Sequence, residues 1–352
     1  MKRSIDKIQL CISFVVIMLS HISCSQSTQN TPASALNDFT VKKNVEWAKP
    51  DGIRLTMDIY TPVTGKQKYP VLVIVHGGGW LINNNSTMDS MSVYIVRHSG
   101  YVVCNINYRL LGDNGNTITM NRMIEDVMGA VAWIKDNVGA YGGDSSLVAI
   151  TGDSAGGHLA AMLVLCGNKL ESDGFSGTSL GFCPTYLPAG KTAEDLARED
   201  RLAVKAAIFS YGAFDIYSSC MAGMETGSNI FWLFSGNPPR GIFGDTITVQ
   251  KQPEFYYAVS PVYSIPKSSA RKLPPMLCTV GSKDNLVVPA SVQAFVKTLK
   301  DAGHTAEYWE CEGRPHAFLD SQNNIYLGTE FSKDAPAALD TMIKFLDAAF
   351  AK

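Results

Sequence analysis

A serine flanked by small residues is the first feature of the sequence that could do chemistry. The segment GDSAGG (152–157) follows the apolar run LVAIT (147–151) and opens the helical pattern AGGHLAAMLVLC (155–166). A serine on a sharp strand-to-helix turn exposes its hydroxyl at the sheet edge, near a helix N-terminus. The flanking glycines suit such a turn because neighbouring backbones approach closely there. Ser154 is therefore the candidate nucleophile.

A serine hydroxyl is a weak nucleophile unless a nearby base removes its proton. Of the six histidines, His316 is the candidate base, because it follows the strand-like run EYWEC (307–311) in the loop EGRPHAF. Catalytic groups of open α/β sheets collect at the carboxyl ends of the strands. His158 lies one turn after Ser154 on the same predicted helix, where we expect it to pack or to hydrogen-bond locally.

An orienting acid should follow the serine and precede the histidine in the chain. Asp284 stands in GSKD, directly after the apolar run MLCTV (276–280). Asp215, in YGAFD, follows the preceding strand in the same way and is the main alternative. Asp284 is preferred because it lies one strand nearer to His316. Its carboxylate would fix the imidazole tautomer and stabilise the imidazolium.

Three consecutive glycines end the apolar strand VLVIVHGGGW (71–80). Acyl transfer builds negative charge on a carbonyl oxygen, and preorganised backbone N–H groups stabilise that charge. The glycines Gly77, Gly78 and Gly79, with the N–H of Ala155, are the candidate oxyanion hole. A phosphate cradle is the competing interpretation, but neither GxGxxG nor GxxxxGK[ST] is present. A β-branched residue at Gly78 should then depress turnover far more than folding.

Short β-prone runs alternate with helical patterns along the chain. The predicted strands are 54–60, 71–75, 102–107, 147–151, 206–210, 276–280 and 307–311. The main predicted helices are 121–138, 155–166, 289–303 and 335–350. Most of the strands are continuous apolar runs, which is typical of strands covered on both faces. The order predicts an α/β fold with a mainly parallel central sheet flanked by helices.

Two stretches, about 167–204 and 212–270, are too long for plain connections in a compact domain. Both follow middle strands of the predicted sheet, so we expect cap or lid insertions over its carboxyl edge. The second stretch is rich in aromatic residues. These could line an acyl pocket, but we expect most of them to form the core of the cap itself.

Composition excludes several classes of protein. The chain has 352 residues, 46% of them hydrophobic, and a formal net charge of −2, so nothing indicates a nucleic-acid partner. No CxxC or HExxH pattern occurs, and neither a metal nor another cofactor is expected. Of eight cysteines, only Cys183 and Cys220 lie in loop-like surroundings. A disulfide between them is compatible with an exported protein.

The N-terminus differs from the rest of the chain. A basic start and the apolar run 8–20 predict an export signal over residues 1–24; a single anchoring helix is the alternative. Cys24, before a polar tract, resembles the lipidated cysteine of bacterial lipoproteins, although His21 departs from that pattern. Ordinary cleavage nearby is equally compatible. Residues 25–44 would form a polar tether, and residues 45–352 the globular domain. Cleavage before Cys24 removes three basic groups and one acidic group, so −2 becomes −4.

Five motifs together resemble the hormone-sensitive-lipase-like esterases of the α/β-hydrolase fold. They are HGGGW (76–80), NYRL (107–110), GDSAGG (152–157), GSKD (281–284) and PHAF (315–318). Trp80 and the NYRL variant are most similar to the branch of exported bacterial carbohydrate esterases of the acetyl xylan and feruloyl types. The resemblance covers roughly residues 45–350. It implies Ser154, Asp284 and His316 as the triad. The sequence departs from many relatives at YRLLGDNGN, where they carry YRLAPE.

The resemblance also implies an oxyanion hole formed by the backbone N–H groups of Gly78, Gly79 and Ala155, with Gly77 as a further member. The expected activity is a serine carboxylesterase acting on a small-molecule or glycan ester, with extracellular carbohydrate favoured. A peptidase of the same fold and a catalytically silent binding protein are the alternatives. The presence of all three triad residues argues against the catalytically silent binding protein.

Overall fold

The computed structural model describes residues 36–176, 179–321 and 323–351. The predicted export signal, Cys24 and the first part of the predicted tether lie outside these residues. Within them, no helix combines the length and apolar character needed to cross a membrane.

One eight-stranded sheet organises the described chain, in the order β1-β2-β4-β3-β5-β6-β7-β8. Its strands are β1 Asp38–Ala48, β2 Leu55–Val63, β3 Tyr69–Val75, β4 Val102–Ile106, β5 Gly143–Asp153, β6 Ala206–Ser210, β7 Met276–Gly281 and β8 Ala306–Cys311. β2 runs antiparallel to both β1 and β4, and all other neighbours are parallel. β9 Asn323–Asn324 and β10 Thr329–Glu330 form a separate short pair.

The central strands are buried on both faces, as their continuous apolar sequences predict. Every residue of β4, β6 and β7 is buried, and Val71–Val75 of β3 is fully inaccessible. The parallel pairing of β3 with β5 aligns Val75 with Gly152. The carboxyl end of β3, where the glycine triplet begins, therefore lies beside the turn that carries Ser154.

Eleven helices form in the described residues, and the five longest of them pack against the sheet. The eleven helices are α1 Asp89–His98, α2 Asp113–Asn116, α3 Met120–Asn137, α4 Ala155–Cys166, α5 Ala193–Arg198, α6 Ile216–Met221, α7 Ile230–Ser235, α8 Pro253–Ala258, α9 Pro289–Asp301, α10 Phe331–Asp334 and α11 Pro336–Phe350. Short 3₁₀ turns lie at Pro50–Gly52, Asn85–Met88, Val138–Tyr141 and Pro261–Tyr263. Every residue of α4 is buried, so the helix that follows Ser154 is a rigid internal support.

The predicted tether over residues 25–44 ends too late. β1 begins at Asp38 and pairs with β2 along most of its length. Its residues up to Asn44 are mostly exposed and include charged side chains. An edge strand with exposed polar residues lacks the continuous apolar run of a central strand. For this reason the sequence pattern predicted a linker there.

The two long stretches contain mostly short helices and loops. α5 and an isolated bridge between Leu170 and Phe182 lie in the first, and α6, α7 and α8 in the second. Of the aromatic residues of the second stretch, Phe214, Trp232, Phe243 and Tyr256 are buried, whereas Phe234, Tyr257 and Tyr263 are exposed. Phe243 stacks on Phe175 of the first stretch with 5.6 Å between ring centroids.

Arg109 of the NYRL motif connects the end of β4 to α3. It is buried, and its guanidinium donates to both carboxylate oxygens of the buried Asp126, at 2.8 and 2.6 Å, and to Asp51 at 2.6 Å. The divergent segment after it is also anchored, because the Leu111 N–H donates to the Trp80 carbonyl at 2.8 Å. Cys183 and Cys220 are both free thiols.

Candidate active site

The turn between β5 and α4 holds Ser154 in a strained backbone conformation, with φ 50° and ψ −117°. Non-glycine residues rarely adopt this region, and such strain collects at functional sites. The Ser154 N–H donates to the Ser210 carbonyl on β6 at 2.9 Å. An added Cβ at Gly156 would lie 2.0 Å from the Val75 oxygen, and one at Gly152 would lie 2.3 Å from the Gly156 oxygen. The two glycines are therefore required by close backbone approach.

The structure brings Ser154, His316 and Asp284 together in the predicted order. His316 Nε2 lies 2.9 Å from Ser154 Oγ, and His316 Nδ1 lies 2.7 Å from Asp284 Oδ2. All three side chains are buried, with Ser154 the most exposed at 9%. An acceptor at Nδ1 favours the tautomer that leaves Nε2 free to take the serine proton.

Backbone contacts fix the carboxylate and the imidazole relative to each other. Asp284 Oδ1 accepts from the N–H groups of Leu286 and Val287 at 2.9 and 2.8 Å. These bonds hold the carboxylate with its other oxygen towards the histidine. A Cβ at Gly281, at the end of β7, would lie 2.1 Å from the Arg314 carbonyl oxygen. The loops that carry Asp284 and His316 are thus in direct contact.

Asp215, the alternative acid, has a different role in the structure. It is the N-cap of α6, and its carboxylate accepts from the Ser218 N–H at 2.9 Å and from the Ser218 hydroxyl at 2.7 Å. Aspartate is a preferred N-cap because its side chain satisfies a free helical N–H. Its position after a strand resembled that of Asp284, but Asp284 contacts His316 whereas the Asp215 carboxylate caps α6.

The glycine triplet lies against the nucleophile turn. The Gly78 carbonyl accepts from the N–H groups of Leu81 and Ile82, both at 3.1 Å, in a tight turn. Among the described residues, the N–H groups of Gly78, Gly79 and Ala155 donate to no other protein group. Free amides beside the serine are what an oxyanion hole requires.

Gly77 differs from its neighbours. The Gly77 backbone lies against the buried Asp153: an added Cβ would lie 2.5 Å from an Asp153 oxygen, and the nearby Gly77 N–H opposes the rise in the pKa of Asp153. Gly78, Gly79 and Ala155 remain the principal candidate donors, and Gly77 remains a predicted further member of the oxyanion hole.

Glycine is needed in this loop for two reasons: a side chain would clash with neighbouring atoms, and residues without side chains leave their backbone N–H groups accessible. Gly78 has φ +119°, and a Cβ there would lie 2.2 Å from the Ile82 oxygen. Gly79 has φ +59°, and a Cβ there would lie 2.5 Å from the Phe231 ring of α7. A side chain at Gly78 would strain the backbone. We therefore revise the expectation for a β-branched residue at Gly78: it should lower both turnover and folding stability.

A buried clamp of Trp80 and His158 joins the glycine loop to the second insertion. Trp80 Nε1–H donates to His158 Nδ1 at 3.1 Å, and His158 Nε2–H donates to the Val259 carbonyl at 2.8 Å. His158 does hydrogen-bond, as expected, but to residues distant in sequence rather than locally. These contacts need the neutral imidazole, and burial lowers the pKa of His158 to about 4.

Two further buried carboxyl groups lie near the triad and were not singled out from the sequence. Asp153 precedes the nucleophile, and burial raises its pKa to about 7 while the charge of His316 acts in the opposite direction. Burial also raises the pKa of Asp320, and Asp153 adds to that rise. The position of Asp153 inside GDSAGG was the available signal for it, whereas nothing in the sequence distinguished Asp320.

Comparison with known proteins agrees with this geometry. The model of the BD-FAE family matches residues 57–299. The chain belongs to the BD-FAE family. The predicted resemblance to carbohydrate-esterase relatives within the α/β-hydrolase fold is thereby confirmed.

Curated relatives of this BD-FAE family member include two esterases of Mycobacterium tuberculosis. Esterase LipQ is 29% identical over 72% of this chain and 51% of its own length, and Esterase LipC is 27% identical over 71% and 53%. The chain spans about half the length of these relatives.

Solved structures share the fold. The apo form of Thermogutta terrifontis esterase 2 matches with a TM-score of 0.61 and 21% identity, covering 88% of this chain and 94% of the other. A truncated carbohydrate esterase from gut microbiota matches with a TM-score of 0.62 and 20% identity, covering 91% and 99%. At this identity the likeness supports the α/β-hydrolase fold alone.

Replacing His158 with glutamine should reduce the sensitivity of the fold to acid. The unfolded histidine binds a proton near pH 6.5, whereas the folded one does so near 4, so stability falls as pH drops through that window. Glutamine can keep one donor and one acceptor without titrating. Urea unfolding at pH 7, 5.5 and 4.5 should show a smaller loss for His158→Gln than for the wild type. Parallel losses would contradict the assignment of a buried neutral histidine.

Substitutions of Asp284 and Asp215 give a matched test of which aspartate orients His316. Asp284→Asn places an amide against His316 and favours the wrong tautomer, so covalent labelling of Ser154 by a fluorophosphonate should slow by on the order of 10³-fold or more. Asp215→Asn keeps a good helix cap and should label at the wild-type rate. Equal labelling of both variants, or slowing only of Asp215→Asn, would contradict the geometry described here.

Proposed function

We propose that the chain is a serine carboxylic ester hydrolase that works through an acyl-enzyme on Ser154. The observation that carries the proposal is the continuous hydrogen-bonded line from Ser154 Oγ to His316 at 2.9 Å and from His316 to Asp284 at 2.7 Å. It ends at a strained turn beside three free backbone amides. This combination is the arrangement that acyl transfer needs.

In the first half-reaction, Ser154 Oγ attacks the ester carbonyl while its proton moves to His316 Nε2. The carbonyl oxygen becomes an oxyanion, which the N–H groups of Gly78, Gly79 and Ala155 stabilise; removal of one such donor costs roughly 3 kcal/mol in related chemistry. Collapse breaks the bond to the alkoxy oxygen, and His316 delivers the proton to the departing alcohol. Asp284 offsets the positive charge of the imidazolium throughout.

In the second half-reaction, water attacks the acyl-enzyme and gives its proton to His316. Collapse of the second tetrahedral intermediate breaks the bond between the acyl carbon and Ser154 Oγ. The proton returns to the serine, and the carboxylic acid leaves. The products are one acid and one alcohol, and no cofactor is needed to balance the reaction.

The proposed substrates are short acyl or feruloyl esters of extracellular carbohydrate. Support comes from the family, whose name refers to feruloyl and acetyl xylan esterases, and from the gut-microbiota carbohydrate esterase that shares the fold. Thermogutta terrifontis esterase 2 was solved with propionate and with butyrate bound, which agrees with a short acyl group. We also propose export through residues 1–24, with Cys24 as a lipid-anchor candidate.

Ester hydrolysis by the purified mature chain tests the proposal. We expect turnover of p-nitrophenyl acetate, methyl ferulate and acetylated xylan, with longer acyl chains poorer. Ser154→Ala should lower kcat/KM by on the order of 10⁴-fold or more, since triad residues act as a unit. Ser146→Ala, at an exposed position of the same strand, should retain wild-type rates. If Ser154→Ala kept most of the turnover, the serine mechanism would be wrong; cleavage of peptides in preference to esters would favour a peptidase.

A further inference from the structure

A polar groove of about 570 Å³ borders the glycine loop and is not lined by Ser154, Asp284 or His316. Its walls come from β1, β2, the segment after Trp80 and the segment after β4. The lining includes Asn44, Asp58, Asn83, Asn84, Ser86, Asn107 and Tyr108, above apolar side chains such as Ile53, Leu55 and Leu110. The volume lies within the range of small-molecule binding sites.

The groove is physically continuous with the oxyanion loop. Asn83 Cβ lies 3.1 Å from the position that a Cβ on Gly78 would occupy. Tyr108, which lines the groove, stacks on His76 with 4.4 Å between ring centroids and donates its hydroxyl to the His76 carbonyl at 2.8 Å. A ligand that contacts Asn83 in the groove would therefore lie beside the loop that carries Gly78.

A network of asparagine amides makes the floor of the groove rigid. Asn107 Oδ1 accepts from the Asn85 N–H at 2.8 Å, and Asn107 Nδ2 donates to Asn85 Oδ1 at 3.1 Å. Asn105 Nδ2 donates to the Asn85 carbonyl at 2.7 Å. These hydrogen bonds fix the loop that carries Asn83 and Asn84 in the absence of a ligand.

The charges of the groove are compensated internally. Lys43 contacts Asp58 at 2.8 Å and Asp89 at 3.2 Å, and Arg54 contacts Glu46 at 2.6 Å. The lining contains two cations against three carboxylates, which disfavours a polyanion. An exposed guanidinium or ammonium is not left free to recognise a phosphate or carboxylate.

The hydrogen-bonding groups that remain free are neutral. Within the described part of the chain, the side-chain amides of Asn44 and Asn83 and the hydroxyl of Ser86 make no hydrogen bond to another protein group, and all three residues are exposed. Amides and hydroxyls both donate and accept, as sugar hydroxyls do. The half-buried side chains of Ile53 and Leu110 in the lining offer apolar contact to sugar C–H groups.

We infer that this groove is a subsite for the backbone of a neutral oligosaccharide, which it holds so that an ester on one sugar reaches the glycine loop. The inference rests on the proposed esterase function and adds to it the place where the glycan chain binds. It also predicts that glycan length affects KM rather than the chemical step.

The test combines a binding arm with a catalytic arm. Calorimetry measures binding of unesterified xylohexaose to the full wild-type chain, which needs no catalysis. Asn44 and Asn83 both have positive φ, where glycine is unstrained, so Asn44→Gly/Asn83→Gly removes the two amides without straining the backbone. Ser86→Tyr is a second variant that fills the groove. Asn114→Gly, an exposed asparagine with positive φ that does not line the groove, is the matched control.

We expect both groove variants to raise the xylohexaose Kd, and the KM for acetylated xylo-oligosaccharides, about tenfold or more, which corresponds to one or two hydrogen bonds. Turnover of p-nitrophenyl acetate should stay within about twofold of wild type, and Asn114→Gly should change neither quantity. Undetectable xylohexaose binding, unchanged Kd in both variants, or tighter binding of the polyanion oligogalacturonate would overturn the inference. Groove-dependent binding without any hydrolysis of p-nitrophenyl acetate would uphold the subsite and overturn the esterase proposal instead.

Discussion

The structure depends on one close approach, between the end of β3 and the start of α4. The Gly156 backbone sits so near Val75 that a single methyl group would lie 2.0 Å from its carbonyl oxygen. This contact brings the glycine loop after β3 and the serine after β5 to the same place. Without it, the free amides and the nucleophile could not face one substrate carbonyl. The strain of the turn is sustained by strands that are buried on both faces.

Strained backbone positions lie around this contact. Four residues other than glycine with positive φ surround the site: Trp80, Ser154, Tyr211 and Ala317. Each follows or ends a parallel strand or lies in the histidine loop. Tyr211 is buried and packs edge-on against His316 with 4.8 Å between ring centroids. The fold therefore holds the reacting groups in preorganised positions that an isolated loop would not adopt, which is the condition for electrostatic stabilisation of a transition state.

The sequence predicted those elements and site residues that depend on local sequence patterns. The β-prone runs located seven of the eight strands of the sheet, β2 to β8, and the serine turn was recognisable because a strand, small residues and a helix follow in order. β1 was missed because its apolar residues Phe39, Val41, Val45 and Trp47 alternate with polar ones instead of forming a continuous run. The partners of His158, the proximity of Asp320 and the polar groove depend on contacts between segments far apart in the chain. The asparagines that line the groove form no motif in the sequence, and only the fold places them on one surface.

The central claim is that Ser154 carries the acyl group during turnover, and intact-protein mass spectrometry tests it most directly. The full mature chain would be mixed with p-nitrophenyl butyrate and quenched in acid during steady-state turnover, then digested to locate the modification. The account predicts one butyryl group per chain, on the peptide that contains Ser154. Sustained ester hydrolysis with unmodified protein at every quench time, or an acyl group on another residue, would contradict it.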